Sequence, residues 1–117
     1  MYKLTILFRQ PRDPAQFDKD WTEKFVPAAD EMPGVLRIEV SHIDGGPTGP
    51  AEYHKMHEFY FADRTAMDNA MHSQKGVLAG NALQAIAPGL YTLLFADVSE
   101  DIVRPAGFPP EARRSPQ

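Results

Sequence analysis

His54 and His57 stand three apart, an H-x-x-H pattern that on a helix could hold a metal ion. The residues around them alternate, however. On a strand a separation of three sends the two rings to opposite faces, so no shared metal is expected. His57 carries more chemistry. It belongs to the series Lys55, His57, Phe59 and Phe61, the half of the strand expected to point inward. A neutral imidazole held there could act as a general base, because burial keeps its pKa at or below the ordinary value of about 6.5. The plainer alternative is a core histidine bonded to a backbone carbonyl or a tyrosine.

Tyr91 is expected to face the same space and could donate to a developing oxyanion. Trp21 and Phe25 would wall a flat pocket, with Phe59, Leu4 and Ile38 completing it. Such a pocket suits a planar apolar ligand with one polar handle. Plain core packing is the competing account, above all for Phe59. Arg37 and Glu58 read as a cross-strand ion pair on the other face of the sheet. His42 and His72 fall at element ends and are expected to be solvated. Asp44-Gly45-Gly46 lacks the strand–loop–helix setting and the lysine of a phosphate cradle. No catalytic triad and no nucleotide fingerprint stands out, so neither a metal nor a cofactor is expected.

The elements that position these residues emerge from periodicity. Tyr2, Leu4, Ile6 and Phe8 alternate with Lys3, Thr5, Leu7 and Arg9, which makes residues 2–9 a strand. Asp13, Pro14 and Gln16 form a helix start. Phe17, Trp21, Phe25, Ala28 and Met32 then make one helical stripe, which Pro27 should bend and Pro33-Gly34 should stop. Residues 35–43 and 53–62 read as strands, joined by a loop rich in glycine and proline. Asp63 can cap a second helix that buries Ala66, Met67, Ala70 and Met71. Gly76 and Gly80 loosen the pattern beyond Ser73, so 77–87 reads as one or two short helical turns. A last strand spans 90–98, and 99–117 is a proline-rich tail with no period.

This order, β-α-β-β-α-β, specifies an α+β ferredoxin-like plait: a four-stranded antiparallel sheet with helices on one face. Leu36, Ile38, Val40, Tyr91, Leu93 and Phe95 should join Leu4, Ile6, Phe8, Phe59 and Phe61 on the helix side. On the far side, Leu7, Met56, Tyr60 and Leu94 would ring a few polar groups. So large an apolar patch marks an interface, and a homodimer through that sheet face is expected. In the hairpin, a register with Arg37 opposite Glu58 is preferred over one that opposes Glu39 to Glu58, which is repulsive.

The 117 residues, 43% of them hydrophobic, suit one domain over 1–98 plus the tail. The absence of cysteine excludes disulfides and thiolate zinc sites. A net charge of −4 argues against nucleic acid as a partner. Apolar runs are too short for a membrane helix, and the N-terminus lacks the pattern of a signal peptide. A cytoplasmic location is the simplest expectation.

Several segments together resemble the EthD family of the dimeric α/β-barrel superfamily. They are Lys3-Leu4-Thr5-Ile6-Leu7-Phe8-Arg9, Phe17-Asp18-Lys19-Asp20-Trp21 with Pro27, Met32-Pro33-Gly34, His57-Glu58-Phe59-Tyr60-Phe61-Ala62-Asp63, Ser73-Gln74-Lys75-Gly76 and Thr92-Leu93-Leu94-Phe95. The resemblance implies a homodimer and a small-molecule cavity between helices and sheet. It also implies kinship with cofactor-independent monooxygenases, cyclases, isomerases and accessory proteins of ether degradation. One departure stands out: many members carry a histidine two positions before the helix proline, where this chain has Phe25. Two readings result. One is an enzyme acting on an aromatic or polyketide-like compound, with His57 as base and Tyr91 as donor. The other is a non-catalytic dimeric binding or accessory protein of a degradation pathway.

Overall fold

The alternation of residues 2–9 becomes strand β1 (Tyr2–Arg9), with Leu4, Ile6 and Phe8 buried on one side, in a computed structural model that describes residues 1–105. Asp13 opens the first helix, its Oδ1 accepting from the Gln16 N–H at 3.1 Å, with Pro14 in the first turn of α1 (Pro14–Asp20). The stripe then continues through a π turn (Trp21–Phe25) into α2 (Val26–Ala29). Pro27 explains the interruption. A proline offers no N–H and its ring clashes with the carbonyl four residues back. The π turn widens the preceding coil, and the Val26 N–H reaches back five residues to the Trp21 carbonyl.

β2 (Arg37–His42) and β3 (Tyr53–Phe61) form the hairpin. Asp63 caps α3 (Arg64–His72) by accepting from the Ala66 N–H at 2.8 Å. The expected short turns after it prove to be one helix, α4 (Gln74–Ile86), started by Ser73 accepting from the Gly76 N–H at 3.1 Å. Gly76 is there for contact rather than flexibility: a Cβ at that position would collide with the Ala70 and Met71 carbonyls. Gly89, at φ +72°, turns the chain into β4 (Tyr91–Asp97). Residues 99–105 form no regular element, and the rest of the tail lies outside the described residues.

The sheet has the order β2-β3-β1-β4, with each neighbouring pair antiparallel, and is open. This is the ferredoxin-like plait. Its core gathers Phe8, Phe59, Phe61, Met67 and His57 beneath the helices. The helices cover only the central strands, however. Leu36 and Val40 near the β2 edge and Leu93 and Phe95 on β4, expected in the core, remain 61%, 47%, 39% and 46% exposed.

Two expectations are corrected. The hairpin opposes Glu39 to Glu58 and Arg37 to Tyr60, not Arg37 to Glu58. Repulsion fails to decide the register because each carboxylate has its own donors. Glu58 takes Lys3 Nζ at 2.8 Å and Thr5 Oγ1 at 3.1 Å, while Glu39 takes the Tyr60 hydroxyl at 2.8 Å and Arg37 at 3.1 Å. Second, His54 does not face away from the helices. The β1–β3 register shifts between Phe8 and Arg9, and this bulge lets the consecutive residues His54 and Lys55 both reach α1. Among the described residues no helix is long and apolar enough to cross a membrane.

Candidate functional site

A cavity of about 310 Å³ lies between the sheet and α4. Strand residues Leu4, Ile6, Phe59 and Leu93 form its floor, and Phe25 and Met32 close one side. From above come Met71 and the α4 residues Gly76, Val77, Ala79, Gly80, Asn81 and Leu83. Asn81 is the one lining residue with a polar side chain. Gly80 is exposed, and a Cβ there would meet nothing within 4 Å, which keeps that part of the rim open.

Of the residues expected to bind a ligand, Leu4, Phe25 and Phe59 line this cavity. Ile38 instead borders a more open hollow with Asp30, Val35, Leu36 and Arg37; Met32 belongs to both. Trp21, His57 and Tyr91 do not border the cavity. Tyr91 is half-buried on the far side of β1 from β3, and its hydroxyl donates to Gln84 Oε1 at 2.7 Å.

His57 stands immediately behind the cavity wall. Its ring stacks on Phe59 at 4.3 Å and meets the edges of Trp21 at 5.3 Å and Phe25 at 5.8 Å. It has no exposed surface, and neither ring nitrogen has a hydrogen-bond partner. Nε2 lies 3.3 Å from Asp30 Oδ1, but out of line for a hydrogen bond. Burial, helped by the charge of Lys55, pushes the His57 pKa down to about 4, so the ring is neutral at pH 7. Burial also raises the Asp30 carboxyl above its ordinary range. The indole Nε1 of Trp21 is buried and unpartnered too.

One turn along α1, Asp18 Oδ1 receives both Lys55 Nζ and His54 Nε2 at 2.9 Å. Burial works against the Asp18 carboxylate, but these hydrogen bonds outweigh it and hold its pKa below the usual value. Lys55 Nζ also sits 3.6 Å above the centre of the Trp21 ring, a cation–π contact. The sequence places Lys55 on the inward face with His57. Asp18 could not be found that way, since α1 meets Lys55 only through chain packing and its second partner, His54, turns inward only at the β3 bulge. Met32 and Asn81 join the cavity only through chain packing. Among the described residues, no three histidine, aspartate or glutamate side chains converge as a metal site.

Chemically, then, an apolar chamber abuts a neutral imidazole, with Phe25 and Phe59 between them. In this conformation a molecule in the chamber meets carbon, Asn81 and backbone, but not His57.

No family model matches the sequence. The chain is 31% identical over 105 residues to an uncharacterized 11.0 kDa protein encoded in the thcB-thcC intergenic region of Rhodococcus erythropolis, covering 90% of this chain and all of that one. The crystal structure of an ethyl tert-butyl ether D (EthD) family protein from Bacillus halodurans superposes with a TM-score of 0.81. It is 30% identical, over 84% of this chain and 98% of the other. SnoaB, a cofactor-independent oxygenase from Streptomyces nogalater, shares the fold at a TM-score of 0.62 and 12% identity, over 88% and 96% of the two chains. Other solved chains of this fold are described as dimeric. With fold, length and identity agreeing over nearly the whole of the halodurans protein, the chain belongs to the EthD family.

Proposed function

We propose that the chain binds a small, largely apolar molecule in the cavity beneath α4, as a homodimer joined through the far face of its sheet. One observation carries the binding reading: a chamber of about 310 Å³ lined by carbon apart from Asn81 and backbone. Its volume lies at the lower end of the range of small-molecule sites. Ligand surface taken from water there gains about 25 cal/mol per Å². The dimeric relatives of the same fold support the assembly. A binding or accessory role in the handling of a metabolite needs nothing more than this.

A thermal-shift screen with naphthalene, quinones, lactones and aromatic acids tests it. Apolar aromatic compounds should raise Tm with concentration, as ligands selective for the native state do. Gly80→Trp, which places an indole at the open rim, should abolish the shift while leaving the apo protein folded. A flat response from every compound, with no binding by NMR, would overturn the reading.

A second reading is acid–base catalysis by His57, in a cofactor-independent isomerase, cyclase or oxygenase. It is favoured by an imidazole that is neutral at pH 7 and keeps both nitrogens unengaged. With a turned-over substrate in hand, His57→Ala should remove turnover and leave affinity within a few-fold; equal losses of both would assign His57 to binding.

A further inference from the structure

We infer that His57 and Trp21 form the polar end of the ligand site, closed off from the apolar chamber by Phe25, and that the ligand is a neutral, mostly apolar molecule ending in a hydroxyl group. The inference rests on the cavity-binding reading and adds a headgroup to it. Trp21 Nε1, His57 Nδ1 and His57 Nε2 are the buried side-chain polar atoms left without a partner among the described residues. All three belong to two rings in contact, 5.3 Å apart. Buried polar groups are nearly always hydrogen-bonded, and clustered exceptions point to a partner that comes and goes.

The chemistry of the partner is dictated by these groups. A neutral imidazole has one N–H and one lone pair, and the indole adds a second N–H. A hydroxyl is the smallest neutral group that accepts from an N–H and donates to the imidazole lone pair. An anionic head fits poorly. Asp30 Oδ1 lies 3.3 Å from Nε2 and would repel it, and the nearby Lys55 ammonium is already held by Asp18 at 2.9 Å. An ammonium head would meet the charge of that same lysine. The chamber on the other side of Phe25 takes the apolar body.

Phe25 is suited to open the way. It touches His57, lines the chamber and ends the π turn. That turn is held by a five-residue reach from Val26 to Trp21 and receives no N–H from Pro27. Such turns recur at functional sites. Rotation of the Phe25 ring would open the chamber toward the His57 and Trp21 nitrogens without moving the sheet.

The test titrates isotope-labelled protein with naphthalene and with 2-naphthol, two probes sharing one apolar body. NMR tracks the methyls of Leu4 and Leu83 and the ring nitrogens of His57. Naphthalene should shift the methyls alone. The naphthol should shift both sets and bind about tenfold more tightly. In His57→Phe that preference should fall to within about twofold. Trp21→Phe, which removes the N–H and keeps an aromatic ring, should reduce it several-fold and serves if the histidine variant does not fold. Phe25→Ala should speed modification of His57 by diethylpyrocarbonate at least tenfold. Equal affinity for the two probes with unmoved His57 nitrogens would overturn the headgroup and leave cavity binding standing. Methyls unmoved by either probe would overturn both.

Discussion

His57 shows how a single buried ring couples chemistry to stability. The unfolded chain protonates it near pH 6.5, the folded chain only near 4, so between those values the unfolded state binds more protons. Stability should therefore fall as pH drops through this window, by about 3 kcal/mol in all. Asp18 and Glu39, whose carboxyls are held below the ordinary range, lose their contribution only at lower pH. Asp30, raised by burial, acts in the opposite sense. Urea unfolding at pH 7 and 5 should show the midpoint falling in the native chain, and His57→Leu should flatten that slope. An unchanged slope in the variant would assign it elsewhere. Lys55 gives a companion prediction. It is 7% exposed and depends on Asp18, so Asp18→Ala strands a buried ammonium and should cost about 3 kcal/mol. Lys55→Met, which removes the charge and keeps the stem, should be close to neutral in the same denaturant assay and should raise the His57 pKa.

At the level of elements, two glycines on α4 make opposite predictions from the same substitution. In an open helix, glycine to alanine gains up to about 1 kcal/mol. Gly80→Ala should show that gain, since nothing lies within 4 Å of the added methyl. Gly76→Ala drives a methyl into the Ala70 and Met71 carbonyls and should cost about 3 kcal/mol or more, as overpacking at a close backbone approach does. Thermal melts of the two variants moving the same way would refute the packing account. This pair also marks where sequence reading runs out. Alternation and capping residues placed β1, β3, α1 and α3 because those signals are local. The glycines of α4 looked like breakers, because the neighbour that demands Gly76 is visible only once α3 and α4 are packed. Pro27 was legible as a disturbance, but not as a π turn one step earlier. The site divides the same way. His57, Lys55, Phe25, Phe59 and Leu4 emerge from periodicity; the His54–Asp18 contact needs the β3 bulge, which no spacing announces.

For the whole molecule, the proposed dimer rests on the far face of the sheet. Its centre is a closed polar set: Lys3, Thr5 and Glu58 bonded together beside Arg37, Glu39 and Tyr60, with the Arg37 guanidinium 4.3 Å above the Tyr60 ring. Thr5, Glu58 and Tyr60 are already buried within one chain, at 6%, 6% and 7% exposure. Satisfied groups of this kind can enter an interface without leaving a charge unpaired. Around them Leu7 and Met56 are half-buried and Leu94 is 46% exposed, the apolar rim a partner sheet would cover. The expected state in solution is a dimer, with twice the chain mass by sedimentation equilibrium at micromolar concentration. Leu94→Asp places a carboxylate on that rim, where a second sheet would have to bury it, and should shift the equilibrium to monomer by at least about tenfold in Kd. Val77→Asp, on α4 and away from this face, should leave the dimer intact. A native chain that stays monomeric, or a Val77→Asp chain that dissociates as readily as Leu94→Asp, would move the interface off the sheet and onto the helix side, where Leu93 and Phe95 are also exposed.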